Sequence, residues 1–214
     1  MDEEISIINT NSRIEKIKNF FVKNKKILTI FISIIILIIF SFFTLKELDH
    51  RKNKNVAEQY NEIMINYDSA NKNNFKNQLI EIINEKNPTY SPLALYFIID
   101  NKIDTSNKEL NRFFDLIINE TDLDDEIKNL IIYKKALFNA DNANESDLLN
   151  ILNPLINSKS VWKSHSLYLM AEYFYVNNQK QKAKEFFNQI ITLENSNPDI
   201  RLQAEKRLNR DLSE

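Results

Sequence analysis

Residues Ile27 to Leu45, ILTIFISIIILIIFSFFTL, run for 19 positions without a charge. They are apolar on every side of a helical wheel. From about Glu47 onward the pattern changes. Apolar residues recur at three- and four-residue spacing, the period that gathers them on one face of an α-helix. No segment beyond residue 46 shows the strict alternation expected of a strand.

The uniform segment predicts a transmembrane helix over 27–45. As a helix it spans about 28 Å, close to the hydrocarbon thickness of a bilayer. The rival reading is a very apolar core helix, against which stand the uniform hydrophobicity, the charges at both ends and the N-terminal position. A cleaved signal peptide would have a shorter apolar region followed by small residues at its cleavage site, and here Phe42, Phe43 and Leu45 stand there instead. Arg13, Lys16, Lys18, Lys23, Lys25 and Lys26 precede the segment, while Lys46, Arg51, Lys52 and Lys54 follow it. This bias predicts a cytoplasmic N-terminus, with the body of the chain across the membrane. The expected organisation is a basic cytoplasmic tail over 1–26, disordered over 1–12, the span over 27–45, and a helical domain over 46–214.

Within that domain the periodicity predicts a helix from about Glu47 to Tyr67, continuous with the span. Others follow over Phe75–Glu85, Pro92–Asn101, Asn107–Asn119, Asp124–Asn139 and Ser146–Leu155. The stretch LMAEYFYVNNQKQKAKEFF, residues 169–187, reads as a hairpin broken at Asn177 and Asn178, and Asp199–Leu212 as a last helix. The prolines at 88, 92, 154 and 198 fall where helices are expected to begin or to have just ended. The run Thr121-Asp122-Leu123-Asp124-Asp125-Glu126 places a capping hydroxyl and acids ahead of Ile127. A calcium loop would need Gly at its sharp turn and a closing Glu, and has neither. Helical pairs recurring about every 35–40 residues predict an all-α array of stacked hairpins in place of a four-helix bundle.

Composition narrows the chemistry. The chain has no Cys and no Gly, two His, and a net charge of −2. Disulfides, thiolate catalysis and Gly-dependent phosphate loops are thereby excluded, and turns that need positive φ are expected to use Asn or Asp. There is no His/Glu metal pair at helical spacing and no Gly-supported oxyanion turn. The expectation is a non-enzymatic protein with no cofactor, no metal and no nucleic-acid partner.

The last hairpin resembles a tetratricopeptide repeat. With Ser164 at its first position, Leu167, Met170, Ala171 and Phe174 fall at positions 4, 7, 8 and 11, and Ala183 and Phe187 at 20 and 24. Small residues at 171 and 183 let two helices approach, while the two Phe fill the groove beside them. Asn178 stands where that family often has Gly, and Ile191 where it prefers Ala. The basic tail, single span and helical hairpins together resemble the bacterial ancillary SecYEG translocon subunit family, whose repeat domain is shared with the cell division coordinator. Leu152 to Leu208 is similar to the C-terminal half of alphaproteobacterial members. The resemblance implies a membrane-anchored scaffold that accompanies the Sec translocon and passes client proteins to periplasmic chaperones.

Positions 2, 5, 9 and 12 of that repeat, which usually face its concave groove, are His165, Tyr168, Glu172 and Tyr175. Their spacing puts them on one helical face, a candidate partner-binding surface of two rings, a carboxylate and an imidazole. The competing reading is that the last helix packs on this face. Trp162 is expected to pack between helices, and His50 to be solvated near the lipid headgroups. Two other functions share the fold: an envelope assembly factor for cell division or the outer membrane, and a cytosolic receptor anchored in the opposite orientation.

Overall fold

The computed structural model describes residues 18–20, 22–68, 72 and 74–212. The expected disordered tail at 1–12, with Arg13 and Lys16, lies outside the described residues. Every regular element described is helical: α1 (Lys25–Asn66), α2 (Lys76–Asn84), α3 (Tyr90–Asp100), α4 (Asn107–Glu120), α5 (Asp125–Asn139), α6 (Glu145–Ile156), α7 (Lys163–Val176), α8 (Lys180–Thr192) and α9 (Pro198–Asp211).

α1 is long and apolar enough to cross a membrane, and none of its most apolar stretch is buried. Ile36 and Phe40, for instance, are 59% and 71% exposed. Its hydroxyls do not break the helix, because Thr29, Ser33 and Thr44 each donate to the backbone carbonyl four residues earlier. The chain divides into two compact units between Asn55 and Val56. The expected boundary at residue 46 therefore moves, for a physical reason: residues 46–55, His50 among them, are exposed, and Val56 is the first buried side chain of α1.

In the second unit, helices from α2 onward pack on their neighbours in sequence. The pairs α2–α4, α5–α7 and α7–α9 also touch. The core is continuous and purely apolar in its largest members, with Phe113, Phe114, Phe174 and Phe187 all at 1% exposure or less. Each such side chain contributes about 1.5–3 kcal/mol relative to leaving it in water. At the start of the domain, Tyr60 of α1 packs on Tyr90 at 5.5 Å between centroids, and Tyr67 meets Phe97 edge-on at 4.8 Å.

The helix ends differ from the expected chemistry in three places. Asp124, not Thr121, caps α5, accepting from the Glu126 N–H at 3.1 Å. The Thr121 hydroxyl is buried without a partner at the end of α4. Pro198 opens α9, but Pro92 lies within the first turn of α3 and Pro154 inside the last turn of α6. The third difference concerns positive φ, found at Lys86 (54°), Lys102 (50°) and Asn178 (59°). Asn178 is the residue type expected at such a turn. The two lysines are there because the next residue must be buried: Ile103, 3% exposed, donates to Ile98 O at 3.0 Å. Asn87 accepts from the N–H groups of Thr89 and Tyr90, both at 2.9 Å. Burial of the following side chain outweighs the roughly 1–2 kcal/mol cost of a left-handed residue with a Cβ.

Candidate functional site

α7 is held at its start by a relay of short polar contacts. The Ser160 hydroxyl donates to Glu126 of α5 at 2.8 Å and accepts from the Trp162 N–H at 3.1 Å. Along the helix, Leu167, Met170, Ala171 and Phe174 face the core at 1% exposure or less, and Ala183 and Phe187 of α8 are fully buried. Phe174 packs on Phe186 at 5.3 Å. The stripe beside them carries His165, Tyr168, Glu172 and Tyr175, all half-buried.

These four residues divide into two groups. His165 belongs to an aromatic cluster with α5: its ring lies 5.1 Å from that of Trp162 and 5.8 Å from that of Tyr133, and Trp162 stacks on Tyr133 at 5.6 Å. Trp162 is thus packed between helices, as expected. The Nδ1 atom of His165 is buried without a hydrogen-bond partner. Burial lowers the pKa of this imidazole, and the nearby Val161 carbonyl offsets part of the effect.

The other three face α9. The Arg207 guanidinium donates to both carboxylate oxygens of Glu172, through Nε at 2.6 Å and through Nη2. It also donates to Asp211 at 2.7 Å and lies over the Tyr175 ring at 4.7 Å. Tyr168 packs edge-on against Phe187 at 5.5 Å. Its hydroxyl pKa is raised by burial first and by the Glu172 carboxylate second. Arg210 and Arg207 hold the Asp211 carboxyl well below the usual carboxylate range, and Arg207 is itself raised by its bonds to Glu172 and Asp211. Of the two readings the sequence left open for this face, the structure shows the packed one. Helix α9 packs on it, because Glu172 finds a cation on that helix and His165 finds rings on another.

No protein-family model, curated protein or solved structure matches this chain. Its possible chemistry rests on the residues alone. Among the described residues no three His, Asp or Glu side chains come together as a metal site requires.

A second concave feature lies elsewhere. A groove of about 260 Å³ is lined by Tyr96 and Ile99 of α3, Phe114 of α4, and Lys134, Leu137 and Phe138 of α5. Leu137 is 45% exposed, the Lys134 ammonium lies 4.9 Å from the centre of the Tyr96 ring, and the Tyr96 hydroxyl is buried without a partner. The sequence carried no local signal for this groove, since its residues come from three helices. Arg207 was equally hidden: it lies 35 positions from Glu172 in a helix that reads as one more charged amphipathic segment.

Proposed function

We propose that the chain is a non-enzymatic, membrane-anchored protein-interaction scaffold of tetratricopeptide-like hairpins. In this reading α1 is a permanent span with the N-terminus cytoplasmic, and the helical domain lies in the periplasm. There it accompanies the Sec translocon and passes client proteins to periplasmic chaperones. One observation carries the proposal: an exposed, uncharged apolar segment leads by a continuous helix into a domain whose helices pack chiefly on their sequence neighbours. Such arrays present long surfaces for other proteins. Burial of every residue the repeat register requires at 167, 170, 171, 174, 183 and 187 supports the tetratricopeptide-like assignment. The translocon itself is carried by resemblance.

The test is affinity purification of the full chain from detergent-solubilised membranes. Translocon subunits or periplasmic chaperones are the expected co-purifying proteins. Recovery of division or outer-membrane assembly proteins alone would replace the translocon role with that of an envelope assembly factor. A periplasm-active phosphatase fused after residue 214 is expected to be active, and a silent fusion would reverse the orientation.

A further inference from the structure

α9 is attached to its neighbours by different means from theirs. Only Ala204 is buried among its residues, whereas α7 buries Ser164, Ser166, Leu167, Met170, Ala171 and Phe174, and α8 buries Ala183, Phe187 and Ile190. Leu202 of α9 is 49% exposed. The joint is made by Ala204, by the half-buried Ile200 and Leu208 and the buried Leu212 that follows the helix, and by an Arg207 clasp: two bonds to Glu172 and a guanidinium plane over Tyr175, braced from within α9 by Asp211. The Glu172 and Arg207 side chains retain 23% and 24% exposure, so the pair is half-dry and not sealed. The junction before α9 is imperfect as well. Arg201 donates to Leu193 O at 2.7 Å, but Arg201 Nε and Ser196 Oγ are buried without partners. Opening the joint would return these groups to water, which favours release.

With α9 removed, Tyr168, Glu172 and Tyr175 form a cup whose shape suits one chemical group. A carboxylate that accepts two parallel N–H bonds, beside an aromatic face, matches a planar guanidinium better than a lysine ammonium. We propose that this cup is a guanidinium-recognition site for an arginine-bearing amphipathic helix of a partner protein, and that α9 fills it in cis until the partner displaces it. α9 also supplies the pattern of the expected ligand. Ala204 and Arg207, three apart, share a helical face, so the partner helix carries a small residue three positions before its arginine. The inference rests on the reading of the domain as a partner-binding scaffold and adds what that scaffold recognises.

Two measurements on the full chain in detergent test it. In hydrogen exchange of the unsubstituted protein, amides of α9 are expected to exchange at least about 100-fold faster than those of 167–174 and 183–190. Raising salt from about 0.05 to about 1 M is expected to accelerate α9 selectively. Exchange of α9 in step with α7 and α8 would overturn the proposal. The second probe is a labelled peptide of residues 197–212, NPDIRLQAEKRLNRDL, added to the Arg207→Glu protein. Binding is expected to weaken at least about tenfold when the peptide carries Arg207→Lys, or when the protein also carries Glu172→Gln. Equal binding of the arginine and lysine peptides, or no binding, would sink the idea. The exchange measurement needs no substitution, so misfolding of the Arg207→Glu protein would not shelter it. Both readouts use the isolated chain and stand apart from whether a translocon co-purifies.

Discussion

Across the joint between α7 and α8 the chain buries Leu167, Met170, Ala171 and Phe174 on one side and Ala183, Phe187 and Ile190 on the other. Across the joint to α9 it buries Ala204 and, just past the helix, Leu212, packs Ile200 and Leu208 only partly, and adds an arginine that reaches Glu172 and the Tyr175 ring. The two joints differ in how they fail. Apolar burial is non-directional, scales with area, and is lost only when the core opens. An ion pair whose side chains keep 23% and 24% exposure gains less, because water still reaches both partners, and it weakens in salt. The first kind of joint builds a domain, and the second makes a helix that can leave one.

The strongest way to break the comparison is to empty the apolar joint. Phe187→Ala should cost about 3–5 kcal/mol in global stability, read from the urea midpoint, since it removes a fully buried ring. A loss below about 1 kcal/mol would mean that the hairpin is not the core described here. Overfilling is the next test: Ala171→Leu should destabilise by about 1–3 kcal/mol by the same measurement, because both helices approach where Ala171 has no exposed surface.

Glu172→Gln should act more locally and more weakly. It is expected to lower the free energy of opening α9 by about 1–2 kcal/mol in hydrogen exchange while leaving α8 unchanged. An equal effect on α8 would erase the distinction between the joints.

The smallest expected effect is a pH dependence from the aromatic cluster. His165 has a folded pKa below its ordinary value, so the unfolded chain binds its proton more readily. Its contribution is fully present above about pH 6.5 and is lost as pH falls from there through the folded pKa. His165→Gln should flatten that slope in urea midpoints measured between about pH 7 and about pH 5. An unchanged slope would show that the imidazole is not dry.

Much of this fold was legible in the order of residues, and particular elements show why. Leu167, Met170, Ala171 and Phe174 announce a buried face by spacing alone, and the structure buries all four. The extent of α4, expected over Asn107–Asn119 and observed over Asn107–Glu120, follows from the same periodicity and a Ser106 side chain that caps it. The candidate face was legible only as a face. Its four residues do lie side by side on α7, but spacing carries no information about Arg207 or Tyr133, which reach it from other helices. The turn residues were half legible for a related reason. Asn178 fits local propensity, whereas Lys86 and Lys102 take a left-handed conformation that a buried neighbour imposes.

By itself the sequence determined a long uncharged helix, a domain of amphipathic helices and the exclusion of Gly- and Cys-dependent chemistry. Each of these depends on periodicity or composition, which are local properties of the chain. Only the tertiary structure decided that the domain proper begins at Val56, that His165 parts company with Glu172, and that α9 closes over the face beside it with an arginine. Those outcomes depend on which of many distant surfaces meet, and a charged side chain does not reveal in sequence which opposite charge it will find.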